Sequence, residues 1–210
     1  MIILGVDPGL LHTGWGVIEA QGSRMRARAY GCIDTKSGDA IGVRLQAIHQ
    51  GIAEVIETYH PDECALEDVF FGADAKAAFS VGEARAAAIL AAADFGLEAG
   101  QYPPRQVKQV VVGVGGAEKA QVTYMVRLQL GLDHDPKPDH CSDALAIALA
   151  HALLIRGAGK MAAQRAQRSQ DATGAGQLPR PGNDSVGRAE VARLCPEKVT
   201  QMAPAKEAAL

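Results

Sequence analysis

The sequence predicts an α/β fold, a layered sheet of mixed strand direction with helices packed against it. Three observations lead there. The first 35 residues read as three short strands in succession. Helical and extended patterns then alternate through the middle of the chain. A strongly apolar helical stretch follows near residue 140.

The elements follow in order. Met1–Asp7 (MIILGVD) is an unbroken apolar run ending in the turn signal Asp7-Pro8-Gly9. A run without alternation suits a strand covered on both faces, hence central in the sheet. Thr13–Ala20 (TGWGVIEA) is a second strand whose glycines mark close backbone approach. Arg26–Thr35 is a third, and short connections favour antiparallel hairpins. Arg24, Arg26 and Arg28 alternate, as on an exposed strand face. Between residues 40 and 59, Val43, Ile48, Ile52, Val55 and Ile56 recur at helical spacing. Pro61 ends that pattern, and Glu63–Val69 reads as a short strand. An alanine-rich helix is expected over residues 74–95, with Asp74 a candidate cap. Leu97–Tyr102 is a weak strand, and helices are expected at 105–112, 117–130 and 140–156. From residue 158 to 210 the chain is rich in Ala, Gly, Gln, Ser and Pro. It lacks a sustained hydrophobic period and reads as a disordered tail behind a domain of residues 1–157.

Composition narrows the function classes. The chain has 210 residues, 48% hydrophobic and 21% charged, which supports an ordinary globular core. No run of about 18 apolar residues is free of charge, so no membrane span is expected. The first residues lack the basic start of a signal peptide. Cys32, Cys64, Cys141 and Cys195 form no CxxC pair. Reduced thiols in a cytoplasmic protein are therefore expected, with Cys32 and Cys64 as small buried hydrophobes. The net charge is −3, so any nucleic-acid surface must be a local basic patch beside acidic groups.

Four polar residues stand at the ends of apolar elements. Asp7 closes the first strand and Glu67 sits late in CALEDV. His140 and Asp143 lie three apart at the start of the last helix, on one face. Carboxylates at the C-terminal ends of neighbouring parallel strands converge on one crevice. Three carboxylates in a small site repel one another unless cations neutralise them. Mg²⁺ or Mn²⁺, two ions per site, would do so and would support phosphodiester hydrolysis. Each residue also has a plainer role open to it: Asp7 as a turn opener, Asp143 as a dipole partner, His140 or Asp139 as a cap. Glu67 has the least room for one, because buried Glu needs a partner.

Four segments, GVDPGLLHTGWGVI, ALEDVFFGADAKAAFSVGEARAAAI, RQVKQVVVGVGGAEKAQV and DHCSDALAIALAH, together resemble the RuvC family of Holliday-junction resolvases. The resemblance spans about residues 1–156. It implies a ribonuclease H-like three-layer fold with a five-stranded mixed sheet flanked by helices. It further implies a crossover junction endodeoxyribonuclease, a homodimer that nicks four-way DNA junctions in symmetric pairs during recombination and repair. A RuvA–RuvB branch-migration complex is the implied partner. Asp7, Glu67, His140 and Asp143 match the metal-binding positions. Lys108 and Lys119 match lysines that contact DNA and serve catalysis, and Phe70 matches an aromatic placed against unpaired bases. Lys76, Arg85 and Arg105, with Arg127, fall among the same helices and would position phosphates. The alanine-rich helix, with Ala75, Ala77, Ala78, Gly82, Ala86 and Ala87, is the candidate dimer face.

Two other classes share some of these features. An actin- or sugar-kinase-like phosphotransferase also begins strand–Asp–Gly turn–strand, but needs a second similar domain, and the chain carries no GxxxxGK[ST] motif. A non-catalytic DNA-binding module would have no use for the acidic set.

Overall fold

A computed structural model describes residues 1–68 and 75–174, with side chains placed for residues 1–68 and 78–158. Five strands form one sheet in the order β3-β2-β1-β4-β5. They are β1 (Ile2–Asp7), β2 (His12–Gln21), β3 (Arg24–Asp34), β4 (Glu63–Glu67) and β5 (Ala99–Tyr102). β1 lies in the middle, as its unbroken apolarity predicts. It pairs antiparallel with β2 and parallel with β4, and β4 pairs parallel with β5. The sheet is mixed because hairpins join β1 to β2 and β2 to β3, while helical crossovers join the rest.

Helices cover both faces. α1 (Ile41–Tyr59) and α2 (Ala75–Asp94) pack with Leu4, Val6, Val17 and Leu66 on one face. α3 (Pro104–Val112), α4 (Lys119–Leu130) and α5 (Asp139–Gly174) pack with Ile3, Ile18 and Ala65 on the other. The alternation of Ile3 with Leu4 and of Val17 with Ile18 sorts each strand's side chains between two cores. The residues through Ser169 make up one folded unit.

Local chemistry ends the helices where the site needs them. α1 buries Ile48, Ile52, Val55 and Ile56 and stops at His60, which takes a left-handed φ of 47° just before Pro61. Val43, expected on the same stripe, is instead 55% exposed, as Ile41 beside it is 44% exposed, so the first turn of α1 is not covered by the core. α3 starts with proline at its first position and ends at Gly113, φ 93°. α4 starts at Lys119 rather than 117. Glu118 caps it through a reciprocal box with Gln121, whose Oε1 accepts the Glu118 N–H at 2.9 Å.

Two expectations need correction at the end of the chain. α5 does not stop at 156 but continues to Gly174, so the span 158–174 is helix and not disordered tail. Its Ala, Gln, Arg and Lys content is favourable to helix without any apolar stripe, which hydrophobic periodicity cannot detect. Residues 175–210 lie outside the described residues, as do Asp74 and Val69. The segment Asp139–Ala158 is long and apolar enough to cross a membrane by length and composition, yet 61% of it is buried inside the protein. It is the core helix of the domain.

The glycines of β1 and β2 explain how α5 seats. A Cβ on Gly14 would lie 2.1 Å from the carbonyl oxygen of His140, and one on Gly5 would lie 2.2 Å from that of Ala144. A Cβ on Gly16 would lie 2.8 Å from the Leu145 side chain. Helix backbone therefore rests on strand backbone at these points. Gly14→Ala is expected to destabilise the protein by about 1–3 kcal/mol in urea unfolding and to displace the start of α5. Gly42→Ala, where a Cβ meets nothing within 4 Å, should instead be neutral or stabilising by up to about 1 kcal/mol.

Candidate active site

Asp7 and Glu67 end neighbouring parallel strands. Val6 pairs with Leu66, so the two carboxylates emerge side by side at the C-terminal edge of the sheet. α5 begins at the same edge and contributes His140 and Asp143 from its first turns. His140 Nδ1–H donates to Asp7 Oδ2 at 2.8 Å. One ligand atom from each of Asp7, His140 and Asp143 lies within 4.8 Å of the others, the spacing of a metal-binding set. Two acids and an imidazole suit Mg²⁺ or Mn²⁺.

The charges are strained in a consistent way. Burial and the nearby Asp7 and Asp143 carboxylates push Glu67 up to about 7, against the opposing pull of Lys108 and Lys119. Burial also raises Asp143, although the Lys119 ammonium works against it. His140 is raised chiefly by its hydrogen bond to Asp7. A divalent ion would relieve all three effects at once. That is the structural reason these residues fit a metal.

Lys119 is the first residue of α4, where a cation opposes the helix dipole. Two carboxylates compensate: its Nζ lies 2.9 Å from Asp143 and 3.4 Å from Asp139. Burial alone would lower the Lys119 ammonium, but these acids hold it above its ordinary value. Asp139 thus faces Lys119. Lys108, from α3, joins Glu67, Lys119 and Asp143 around a cleft of about 220 Å³ that also has apolar walls from Val107, Val122 and Ile147.

The other candidates divide. Arg105 is exposed near the cleft and packs over Gly115. Arg85 is turned toward Asp68 at 3.6 Å and hydrogen-bonds Gln101, leaving 18% of its side chain exposed. It braces the ends of β4 and β5 instead of presenting a free cation. Arg127 is taken up by Asp135 and the Tyr124 ring. Phe70 lies outside the described residues, and so does the side chain of Lys76.

The sequence did not single out His12 and Asp34. The His12 ring stacks on His140 with centroids 5.7 Å apart, and its Nδ1–H donates to Asp34 Oδ1 at 2.8 Å. Cys32 is not the buried hydrophobe expected of it. It lies on the outer strand β3, half-buried, with its thiol directed at Asp34 Oδ1, 3.3 Å away. The β2–β3 register brings them together by pairing His12 with Asp34. Cys64 and Cys141 are buried as small apolar groups.

Comparison with known proteins agrees with this geometry. The family model described as crossover junction endodeoxyribonuclease RuvC matches residues 3–151. The chain is 45% identical over 152 residues to the crossover junction endodeoxyribonuclease RuvC of Desulforamulus reducens, covering 72% of this chain and 93% of that one. It is 49% identical over 152 residues to that of Ruegeria pomeroyi, covering 72% and 91%. Among solved structures, Thermus thermophilus RuvC in complex with Holliday junction substrate matches with a TM-score of 0.72 and 38% identity, over 75% of this chain and 96% of that one. The matched span takes in the sheet from Ile3 onward and every residue of the acidic set, and on that ground the chain belongs to the RuvC family of crossover junction endodeoxyribonucleases.

Proposed function

We propose that this protein is a metal-dependent endonuclease that resolves four-way DNA junctions by paired nicks. The observation that carries the proposal is the convergence of Asp7, His140 and Asp143 within 4.8 Å beside a Glu67 pushed up to about 7. Asp7, His140 and Asp143 would hold Mg²⁺ or Mn²⁺, with Glu67 completing the set. When bound, two such ions supply an activated water and stabilise the leaving oxygen of a phosphodiester.

The chain's own residues do the rest. Lys119 and Lys108 place positive charge at the cleft, where the charge of a phosphodiester grows during hydrolysis. Arg105 offers an exposed contact for a flanking phosphate. Phe70, just beyond the end of β4, would stack on an unpaired base at the junction centre. Paired nicks call for two equivalent sites, so the active species is a homodimer. On α2, Ala78 and Ala87 are spent in the protein's own core, while Phe79 (68% exposed) and Leu90 (60% exposed) face outward with Gly82 and Ala86. Residues 79, 82, 86 and 90 form one helical stripe, the dimer face we infer. A RuvA–RuvB branch-migration complex would deliver the junction.

Three outcomes test this reading. Asp7→Asn should slow junction cleavage at least about 100-fold, while gel-shift binding of the same junction holds or tightens, since a negative charge near the phosphates is gone. Wild-type cutting rates in Asp7→Asn would refute the metal-nuclease reading.

The second outcome concerns pH. Metal binding needs His140 neutral and Glu67 ionised. Both groups hold protons more tightly than usual in the metal-free protein. Cleavage should therefore rise as pH increases through about 7, and higher Mg²⁺ should move that rise to lower pH. His140→Asp should move it lower as well. Glu67 has its ordinary carboxylate value when unfolded and a raised one when folded. Its proton thus favours folding at acidic pH, and that contribution is lost as pH rises from about 4.5 to about 7. Glu67→Gln should then stabilise the metal-free protein at pH 8, by an amount on the order of 3 kcal/mol, measured by denaturant unfolding.

The third is oligomeric. Phe79→Glu should convert the dimer to monomer in sedimentation and leave the melting temperature of the fold nearly unchanged.

A further inference from the structure

A second cluster of metal-ligating side chains lies beside the acidic set and is not used by it. The β2–β3 register pairs His12 with Asp34 and Gly14 with Cys32. Cys32 and Asp34, two apart on β3, share one face of the sheet. His12 reaches the same face from across the ladder. One donor atom from each of the three lies within 4.8 Å of the other two. We propose that His12, Cys32 and Asp34 form a distinct metal site that takes a thiolate-preferring divalent ion of the Zn²⁺ class.

The donor set decides the class. Imidazole, thiol and carboxylate are the three side chains that ligate Zn²⁺, and three protein ligands leave a fourth tetrahedral position for water. Mg²⁺ prefers oxygen and competes poorly for sulfur, so the two neighbouring sites would sort ions by chemistry. Two antiparallel strands hold the donors, so little backbone freedom is lost on binding. His12 and Asp34 are exposed, which gives an ion a path in.

The present hydrogen bonds show how the exchange balances. Asp34 Oδ1 accepts both the His12 Nδ1–H and the Cys32 S–H. Two protons thus sit among three electron-rich atoms. On binding, the thiol proton leaves to solvent, and the imidazole carries its proton on Nε2 instead of Nδ1. The thiolate, the carboxylate and the imidazole nitrogen then each direct a lone pair at the ion. The local charge moves from −1 to zero. Binding through sulfur requires loss of the thiol proton, so only an ion with real affinity for sulfur displaces it. The His12 ring also stacks on His140. An ion on Nδ1 would fix that ring and so tie the start of β2 to the start of α5.

The test uses the full chain in excess Mg²⁺, with Co²⁺ as a spectroscopic stand-in for Zn²⁺. The expected result is a near-ultraviolet cobalt–thiolate charge-transfer band that saturates at one ion per chain and is discharged by Zn²⁺. Cys32→Ser should abolish it. His12→Ala and Asp34→Asn, which keep the thiol, should weaken Co²⁺ binding at least about tenfold. Cys141→Ser and Cys195→Ser should leave the band intact. Zn²⁺ should also raise the melting temperature of the wild type more than that of Cys32→Ser. A missing band at saturating Co²⁺ overturns the proposal, as does a band that survives Cys32→Ser or is lost in Cys141→Ser or Cys195→Ser. None of these readouts depends on cleavage, so failure here is separate from failure of the nuclease reading.

Discussion

The contact between the first turns of α5 and the bare backbone of β1 and β2 is the constraint from which the site follows. Helices normally stand off a sheet by the thickness of their side chains. Here Gly5, Gly14 and Gly16 remove that thickness along one diagonal, and a single Cβ at Gly14 would overlap the His140 carbonyl. The start of α5 is thereby pressed onto the end of β1 and the start of β2. His140 can then reach Asp7 at 2.8 Å. Apolar packing by Leu145, Ile147 and Leu149, all fully buried, holds the helix there.

Bringing Asp7, Glu67 and Asp143 together costs electrostatic energy. The fold accepts this cost because the core beneath it is large and continuous on both sheet faces. Part of the repulsion is already offset in the metal-free protein. His140 donates to Asp7, and Lys119 bridges Asp143 and Asp139. The offset is incomplete, which leaves Glu67 close to 7. A divalent ion at this site would relieve the remaining repulsion, so ion binding would also stabilise the fold. Lys119 has a double use. It steadies the acids before substrate arrives, and it lies in the cleft where a phosphate would compete for it.

The family relationship and the geometry support each other without being the same argument. Identity near 45% over the matched span places the chain in its family. The geometry says why an acidic protein of net charge −3 can act on DNA. Lys108 on α3 and Lys119 on α4 stand beside the carboxylates, while Arg85 and Arg127 are engaged with Asp68 and Asp135. Gross charge is a poor guide when the attractive field is local and metal ions reverse the sign of the site.

Much of the fold was legible in the residues because hydrophobic period reports burial directly. The unbroken run of β1 announced the central strand, and the glycines of β2 announced close approach. Asp7, Glu67, His140 and Asp143 stood out because charge at the end of an apolar element requires a partner. Local pattern could not set the end of α5, whose last turns have helix propensity but no buried stripe. Nor could it assign Arg85, exposed in pattern yet turned inward to Asp68 and Gln101. The pairing of His12 with Asp34 and Cys32 was hidden for a related reason: strand register depends on hairpin length and twist, and a shift of one residue would send those side chains to opposite faces. Sequence by itself determined the order of the elements and the apolar faces of the central strands, and it marked the acids as candidates. Only the tertiary structure decided which polar groups meet, because distances of 2.8 Å between residues 133 apart depend on how closely a helix settles on a sheet.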